Sequence, residues 1–434
     1  MSNRVHEVAD ARAVWGRRVF VAVVTITLAS QFFRASTSAL GPELMRDLSL
    51  SPQGLGLANA AFFVSLTAAQ IPIGMLFDRF GPRRVVALLT VFTVLGAALH
   101  AVARSEALFV FARFLVGLGC AGSFMAAVVL CVRWYAGRNF STMLARVFAL
   151  SGLGYLLAGS PWAAFAASIG WRPAFAVSAL FAAATSYLFF ALARDHPGHE
   201  PAVRPERLRD ILSGFRDVWK TAGLVPILAM HFVSYAAFLT VFGVWAGPYL
   251  NDAYGFDPVA RGNVLVVMAA AQILATLGFG PLDRWLPRRI IVILAATLSI
   301  ATLTVLILVP HPSAETAVLM LIVFSAVTSF GVVNVADANS RFPAHIAGRG
   351  ATAVNLFQVV GTSVLPILSG MVIGWFPSGA QGRPEAAYRA AFAVIAASLA
   401  IGLAAYGLLY PKGSGRRAAS DAAGAPVEKA PGSP

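Results

Sequence analysis

The sequence predicts an all-α polytopic membrane protein, with twelve transmembrane helices in two parallel six-helix repeats around a central cavity. Three observations predict it: apolar runs of membrane-spanning length, arginines gathered in alternate loops, and an internal repeat that covers six spans. Of the 434 residues, 58% are apolar and 12% charged. A water-soluble domain carries about twice that share of charge, so much of this surface must meet lipid.

Crossing about 30 Å of hydrocarbon takes about 20 apolar residues in a helix. Twelve runs qualify: 18–40, 55–77, 84–103, 107–131, 143–168, 172–193, 223–247, 263–281, 289–309, 315–338, 351–375 and 387–410. The first follows Arg12, Arg17 and Arg18. It is too long for a signal-peptide core and shows no clear small-residue cleavage site, so it reads as a retained span. The chain therefore divides into an N-tail (1–17), a first bundle (18–193), a linker (194–222), a second bundle (223–410) and a tail (411–434). In the linker, 205–220 sets Leu208, Ile211, Leu212, Phe215, Val218 and Trp219 on one helical face, which predicts an interfacial amphipathic helix. Residues 412–434, rich in Gly, Ala, Pro and Ser, are expected to be disordered.

The net charge of +14 does not point to nucleic acid, because the basic residues sit at the ends of apolar runs. With a cytoplasmic N-terminus and alternating spans, 25 of the 33 Lys and Arg fall in inner segments and six in outer loops. Arg34 and Arg113 remain, both inside spans. This asymmetry follows the positive-inside rule and predicts that both termini are cytoplasmic, in a bacterial inner membrane. Cys120 and Cys131, eleven residues apart in one apolar run, fit no disulfide framework or metal spacing and read as small buried side chains.

The repeat is visible in short strings. Gly41-Pro42-Glu43-Leu44 returns 206 residues later as Gly247-Pro248-Tyr249-Leu250. Asp78-Arg79 with Pro82-Arg83-Arg84 returns at an offset of 205 as Asp283-Arg284 with Pro287-Arg288-Arg289. Arg133-Trp134-Tyr135-Ala136 returns more loosely at 208 as Arg341-Phe342-Pro343-Ala344. A repeat of six spans keeps both halves in one orientation, so they are parallel and can rock about a shared central site.

GMLFDRFGPRR, from Gly74 to Arg84, resembles the loop 2–3 signature of the major facilitator superfamily. LDRWLPRR, from Leu282 to Arg289, is similar to its degenerate copy between spans 8 and 9. Arg113, Gly117 and Gly119 match the Arg-x-x-x-Gly-x-Gly pattern of the family's fourth span. The resemblance covers essentially the whole chain. It implies a monomeric secondary carrier of a small solute by alternating access, as symporter or antiporter, with protons or another ion as coupling partner. It also implies a gate. Gly74 would admit a close neighbour, and Asp78 would meet the N-terminal end of span 11, where the helix dipole favours a carboxylate. Arg79, Arg83 and Arg84 would pair with it or with anionic lipid headgroups, and Asp283 and Arg284 would be gating residues of the second copy. For Arg83 and Arg84 a purely topological role is the equal alternative.

Ionisable groups inside spans are functional candidates. On span 1, Thr27, Gln31, Arg34 and Ser38 make one polar stripe at helical spacing. The forked guanidinium of Arg34 suits carboxylate or phosphate, and several organic-anion carriers of the superfamily resemble this chain in placing an Arg in span 1. The other reading is that Arg34 snorkels to the outer headgroups. On span 7, His231, Tyr235, Phe238, Phe242 and Trp245 form an aromatic face, which reads either as packing or as cavity wall. Asn355, Gln358 and Thr362 form a polar face on span 11. Arg113 and Asp337 are the candidates for ion coupling. Arg113 could equally be a structural donor, and Asp337 an end-of-helix residue paired with Arg341.

Other classes are disfavoured. The span 5 stretch GLGYLLAGSP (Gly152–Pro161) matches the Gly-Pro signature of drug–proton antiporters imperfectly, and span 1 has no acid apart from Glu43 at its outer edge. Proton-coupled efflux of drugs or metabolites is the alternative reading, and a non-transporting sensor on the same fold a further one. No Gly-x-x-x-x-Gly-Lys-Ser/Thr loop is present to cradle ATP. Intramembrane acids are too few for an enzyme site, and neither cofactor nor metal is expected.

Overall fold

Helices of spanning length arise where the sequence places them, and their breaks carry most of the architecture. The computed structural model describes residues 2–135, 140–196, 221, 223–282, 285–342, 347–379 and 382–410. Eleven helices there are long and apolar enough to cross a membrane, or twelve when a bent pair counts as one span. Spans 1 to 6 are Val14–Ala35, the pair Pro52–Ala68 and Pro72–Phe80, Pro82–Val102, Glu106–Trp134, Thr142–Ile169 and Trp171–Leu192. Spans 7 to 12 are Leu224–Tyr254, Pro258–Leu282, Arg288–Leu308, Ala314–Asn339, Ala353–Gly374 and Glu385–Leu409. The expected amphipathic segment 205–220, the tail 412–434, Asp283 and Arg284 lie outside the described residues.

Several breaks were not expected. Span 1 ends at Ala35 rather than at residue 40, and a turn over residues 36–40 leads into a short helix, Gly41–Asp47. Trp162 on span 5 donates to the Ser36 carbonyl at 2.8 Å, which occupies one of the carbonyls that the helix end leaves unpaired. Span 2 bends by 48° at Ala69–Ile71. Span 5 is interrupted at Gly152 and again at Ala158–Gly159, just before Pro161. Span 7 carries a π-helical turn, Val241–Trp245. Such turns leave backbone groups outside the regular ladder.

The two halves use the same packing scheme. Span 3 lies against spans 4 and 6, and span 9 against spans 10 and 12. Span 1 lies against spans 5 and 6, and span 7 against spans 11 and 12. Close approach is built in on span 4. A Cβ on Gly117 would strike the Phe62 carbonyl, and one on Gly119 the Thr93 backbone of span 3. The fourth-span glycines therefore let three helices meet at backbone distance. Cys120 and Cys131 are buried and unbonded, as expected.

Between the halves, span 2 packs on span 11 and span 5 on span 8. Their far ends, away from the two termini, are closed. Ser38 donates to the Gly243 carbonyl at 3.1 Å, which the π-helical turn presents to span 1. The fully buried Arg261 pairs with Glu43 of the other half and donates to Asn251 at 2.8 Å. At the end of the short helix, Asp47 accepts from the Trp171 indole at 2.8 Å and from Arg46. Burial pushes its carboxyl up, but these hydrogen bonds outweigh burial and hold it below the ordinary carboxylate range.

The gate was expected at the end that carries the termini. Among the described residues nothing lies within 4 Å of the place a Gly74 Cβ would occupy, so the close neighbour expected there is not seen. Asp78, Arg79 and Arg84 are exposed. Arg83 instead docks within its own half: its backbone N–H donates to Asp195 at 2.8 Å and its Nε to the Phe190 carbonyl at 2.7 Å. Among the described residues no bond from 74–84 reaches the second half. Among the described residues the closing contacts between the halves lie at the far end, and the side chains at the start of span 11, expected to meet loop 2–3, are not among those described.

The Glu43–Arg261 pair generates a prediction. Removing one partner strands a buried charge, whereas replacing both with apolar groups does not. Glu43→Leu and Arg261→Met should each lower stability by about 3 kcal/mol, and the two together should regain most of it. A double-mutant cycle of unfolding in detergent measures this; additive losses would show that the pair does not hold the halves together.

Candidate functional site

The polar stripe of span 1 divides by function once its neighbours are known. Thr27 and Ser38 are buried. Thr27 meets Ser151 of span 5 at 2.5 Å, and Ser38 belongs to the far-end closure described above. Gln31 and Arg34, in the last turns of span 1, are only half-buried. Arg34 does not snorkel. Its Nη1 donates to the Tyr235 hydroxyl of span 7 at 3.4 Å, its guanidinium lies 5.4 Å from the Phe63 ring centre, and its buried Nε has no hydrogen-bond partner. The partial exposure of Arg34 therefore opens into the space between the halves.

Tyr155 of span 5 completes this group, with its hydroxyl 3.4 Å from that of Tyr235. It reaches this position because span 5 runs against span 1 at Gly154. A Cβ there would press on the Leu28 carbonyl and lie 2.9 Å from the Gln31 Cβ. Behind the hydroxyls stands an aromatic wall. Tyr155 meets Phe242 edge-on at 5.7 Å, and Phe242 stacks on Phe238 at 5.2 Å.

The rest of the span 7 face serves packing and second contacts. Trp245 is buried and donates to Ser369 of span 11 at 2.8 Å. His231 is buried, and its Nε2 lies 3.0 Å from the amide oxygen of Gln358; with that oxygen accepting, Nε2 carries the proton. On span 11, Asn355 donates to Gln70 of span 2 at 3.0 Å, a bond between the halves on the terminal side of Arg34. Thr362 is fully buried and bonds to its own helix, so it does not join this face. Asn59 of span 2 is buried beside Gly243, and its amide nitrogen has no partner among the described residues.

The two coupling candidates are both engaged away from the seam. Arg113, 1% exposed, donates to the Phe33 carbonyl at 2.8 Å and lies 4.7 Å from the centre of the Phe62 ring. It thus grips the residue that precedes Arg34. Asp337 accepts from Arg341 at 3.4 Å and from the Tyr410 hydroxyl at 2.9 Å, near the terminal end. This is the end-of-helix arrangement, with span 12 added. Among the described residues, no group of three His, Cys, Asp or Glu is placed to hold a metal.

Sequence reasoning missed Tyr155, Asn59, Gln70, Asp195 and the role of Arg261. Tyr155 and Gln70 carry no helical-stripe signal, since each is a lone polar residue in an apolar run. Arg261 looked like an ordinary outer-loop charge. The repeat held a clue to it, because the Gly-Pro strings at 41 and 247 end spans 1 and 7 together, and Glu43 lies within the first.

The comparisons with known proteins identify the family. The family model described as Major Facilitator Superfamily matches residues 23–357. SauU of Cupriavidus necator, named as a probable sulfoacetate transporter, is 28% identical over 52% of this chain and 54% of its own. The chain thus spans about half the length of that relative. GudP of Escherichia coli, named as a probable galactarate/D-glucarate transporter, is 24% identical over 79% of this chain and 83% of its own. Among solved structures, a bacterial homologue of the human lysosomal transporter Spinster, inward-facing and unoccupied, shares the fold: the TM-score is 0.73 at 15% identity, over 91% of this chain and 95% of that one. With its paired six-span halves and its match over residues 23–357, this multi-pass membrane protein belongs to the major facilitator superfamily of secondary transporters of small solutes.

Proposed function

We propose that the chain moves a small organic anion across a bacterial inner membrane by alternating access, with Arg34 as the anchor of the anion. The observation that carries this reading is the Arg34 guanidinium, held between the halves, with Nε unpaired and only tyrosine hydroxyls and an aromatic face around it. A cation in the membrane interior without a carboxylate partner is costly, and an incoming anion supplies the missing charge. The named substrates of SauU and GudP are organic anions, which supports the same class.

The bundles 18–193 and 223–410 are the two bodies that rock, with the termini on the cytoplasmic side, as the 25-to-6 asymmetry of Lys and Arg argues. The far-end contacts then lie on the outer side. Arg79 and Arg84 are placed to meet anionic headgroups when the inner gate is apart. The protein works as a monomeric carrier rather than as an enzyme. Gln31, Gln358 and Asn355, half-buried on facing spans, are the neutral groups that would contact the body of the solute.

In vesicles, Arg34→Ala should weaken anion uptake on the order of a hundredfold or more, because it strips a charge from a desolvated contact. Tyr235→Phe should cost up to about tenfold, the value of one neutral hydrogen bond. Full activity of inserted Arg34→Ala protein would refute the anchor.

A second expectation concerns position rather than contact. Arg113→Gln should raise KM for the anion more than it lowers kcat, because the Phe33 carbonyl is released and Arg34 shifts. Arg113→Lys should recover part of the loss, whereas an unchanged KM in Arg113→Gln would assign Arg113 to stability alone.

A further inference from the structure

At the terminal end of the first half, spans 1, 4 and 6 are pinned to one another. The Tyr135 hydroxyl, just past span 4, donates to the Gly16 carbonyl of span 1 at 2.5 Å. The Trp134 indole donates to the Arg194 carbonyl at 2.8 Å, and Arg133 to the Asp195 carbonyl at 3.4 Å, both just past span 6. These bonds bring Arg194 to the first turn of span 1. Its guanidinium lies 3.3 Å from the centre of the Trp15 ring, and the guanidinium of Arg18 lies 4.8 Å from the same ring. One indole thus holds two like charges close together, one from span 1 and one from the end of span 6.

Among the described residues no carboxylate pairs with Arg18 or Arg194. Both side chains are exposed, and Trp15 is half-buried. Asp195, the next residue after Arg194, is engaged elsewhere and accepts from the Arg83 backbone at 2.8 Å. Two like charges held on one ring repel each other, and an anion that touches both removes the repulsion. The depth of the pair selects the anion. Trp15 stands at the start of span 1 (Val14–Ala35), and Arg194 closely follows the end of span 6 at Leu192. This is the headgroup level, where tryptophan gathers and where basic pockets between spans take lipid phosphates. Orientation of the chain in the membrane requires positive charge there, but no indole between two arginines. At the repeat offset of 206 the second half carries Thr221 and Leu224 in place of Trp15 and Arg18, so the arrangement is not part of the repeat.

We infer that Arg18 and Arg194, set on Trp15, form a binding site for the phosphate of an anionic phospholipid, built into the first half alone. The site is independent of the transported solute. The purified full chain in neutral detergent is titrated by calorimetry with dioctanoyl phosphatidylglycerol, dioctanoyl phosphatidylcholine and inorganic phosphate. Phosphatidylglycerol should bind, more weakly as salt rises. The zwitterionic lipid and free phosphate should bind at least about tenfold more weakly, one lacking net charge and the other the apolar body. An arginine beside an anionic headgroup is worth about fivefold in affinity, so Arg18→Gln and Arg194→Gln should each weaken phosphatidylglycerol by about that factor, and together by on the order of thirtyfold. Arg17→Gln is the control. It removes another exposed arginine of the same turn, one without a ring contact to Trp15, and should change the affinity by no more than about twofold. Equal losses in Arg17→Gln and Arg18→Gln would reveal attraction to diffuse charge and overturn the site, as would an unchanged affinity in the double variant or no binding of phosphatidylglycerol. Phosphatidylcholine binding as tightly would overturn the requirement for an anionic lipid. Free phosphate binding as tightly, with both arginines required, would overturn the lipid in favour of a soluble anion. If Arg194→Gln does not fold, Arg18→Gln against Arg17→Gln decides alone.

Discussion

One charge organises the centre of this molecule. Arg34 sits where spans 1, 5 and 7 converge, and its guanidinium must be kept tolerable in a medium that solvates it poorly. What surrounds it is modest: a tyrosine hydroxyl at 3.4 Å, the Phe63 face and a second tyrosine behind the first. None of these cancels the charge. Contrast Arg261, fully buried at the far end, which has a carboxylate and an amide oxygen as partners. One arginine is paired with an acid across the halves and the other is not. Buried polar groups are normally paired; Arg34 shares an unpartnered nitrogen with Arg113 and Arg261 among the described residues, and what sets it apart is its partial exposure.

The route by which span 1 delivers Arg34 depends on breaks rather than on regular helix. The helix stops at Ala35, directly after the arginine, and the carbonyls freed there are taken up locally: Arg113 donates to Phe33 and Trp162 to Ser36. Span 7 is loosened at the same level by its π-helical turn, and the Gly243 carbonyl turns to Ser38. Two symmetry-related helices therefore lose regularity beside each other, and the exposed backbone groups are shared across the seam. Irregular backbone at membrane depth persists only where protein or a cavity receives it.

Much of this was legible in the sequence, for physical reasons. Lipid imposes length and polarity on each span, and the cost of translocating arginine imposes the loop asymmetry, so the span count and the parallel repeat could be read directly. The stripe Thr27–Gln31–Arg34–Ser38 was readable as a face. Its division was not, because Thr27 and Ser38 differ from Gln31 only in what another helix brings to them. Tyr155 was invisible for the same reason: it matters through Gly154, whose missing side chain lets span 5 reach span 1. The gate residues Asp78 and Arg79 were identified by motif, but the motif carries no record of which conformation prevails. Asp195, which accepts from the Arg83 backbone within the same half, lies 112 residues away with no periodic signal to announce it.

The position of Tyr235 ties recognition to movement. Arg34 and Tyr155 belong to the first half, and Tyr235 to the second, so their hydroxyl and guanidinium contacts are also contacts between the halves. Rocking about the seam must change the 3.4 Å distances from Tyr235 to both partners. A ligand held only by Arg34 would bind the two conformations alike and shift nothing, however tightly it bound. A ligand that touches Arg34 and Tyr235 together has a different free energy in each conformation, and that difference is the only quantity by which binding can drive the exchange. The ligand must therefore be small enough to bridge a gap of one hydrogen bond at this point. A compact anion meets that requirement, and a large flexible one spreads its contacts over surfaces that do not move relative to each other.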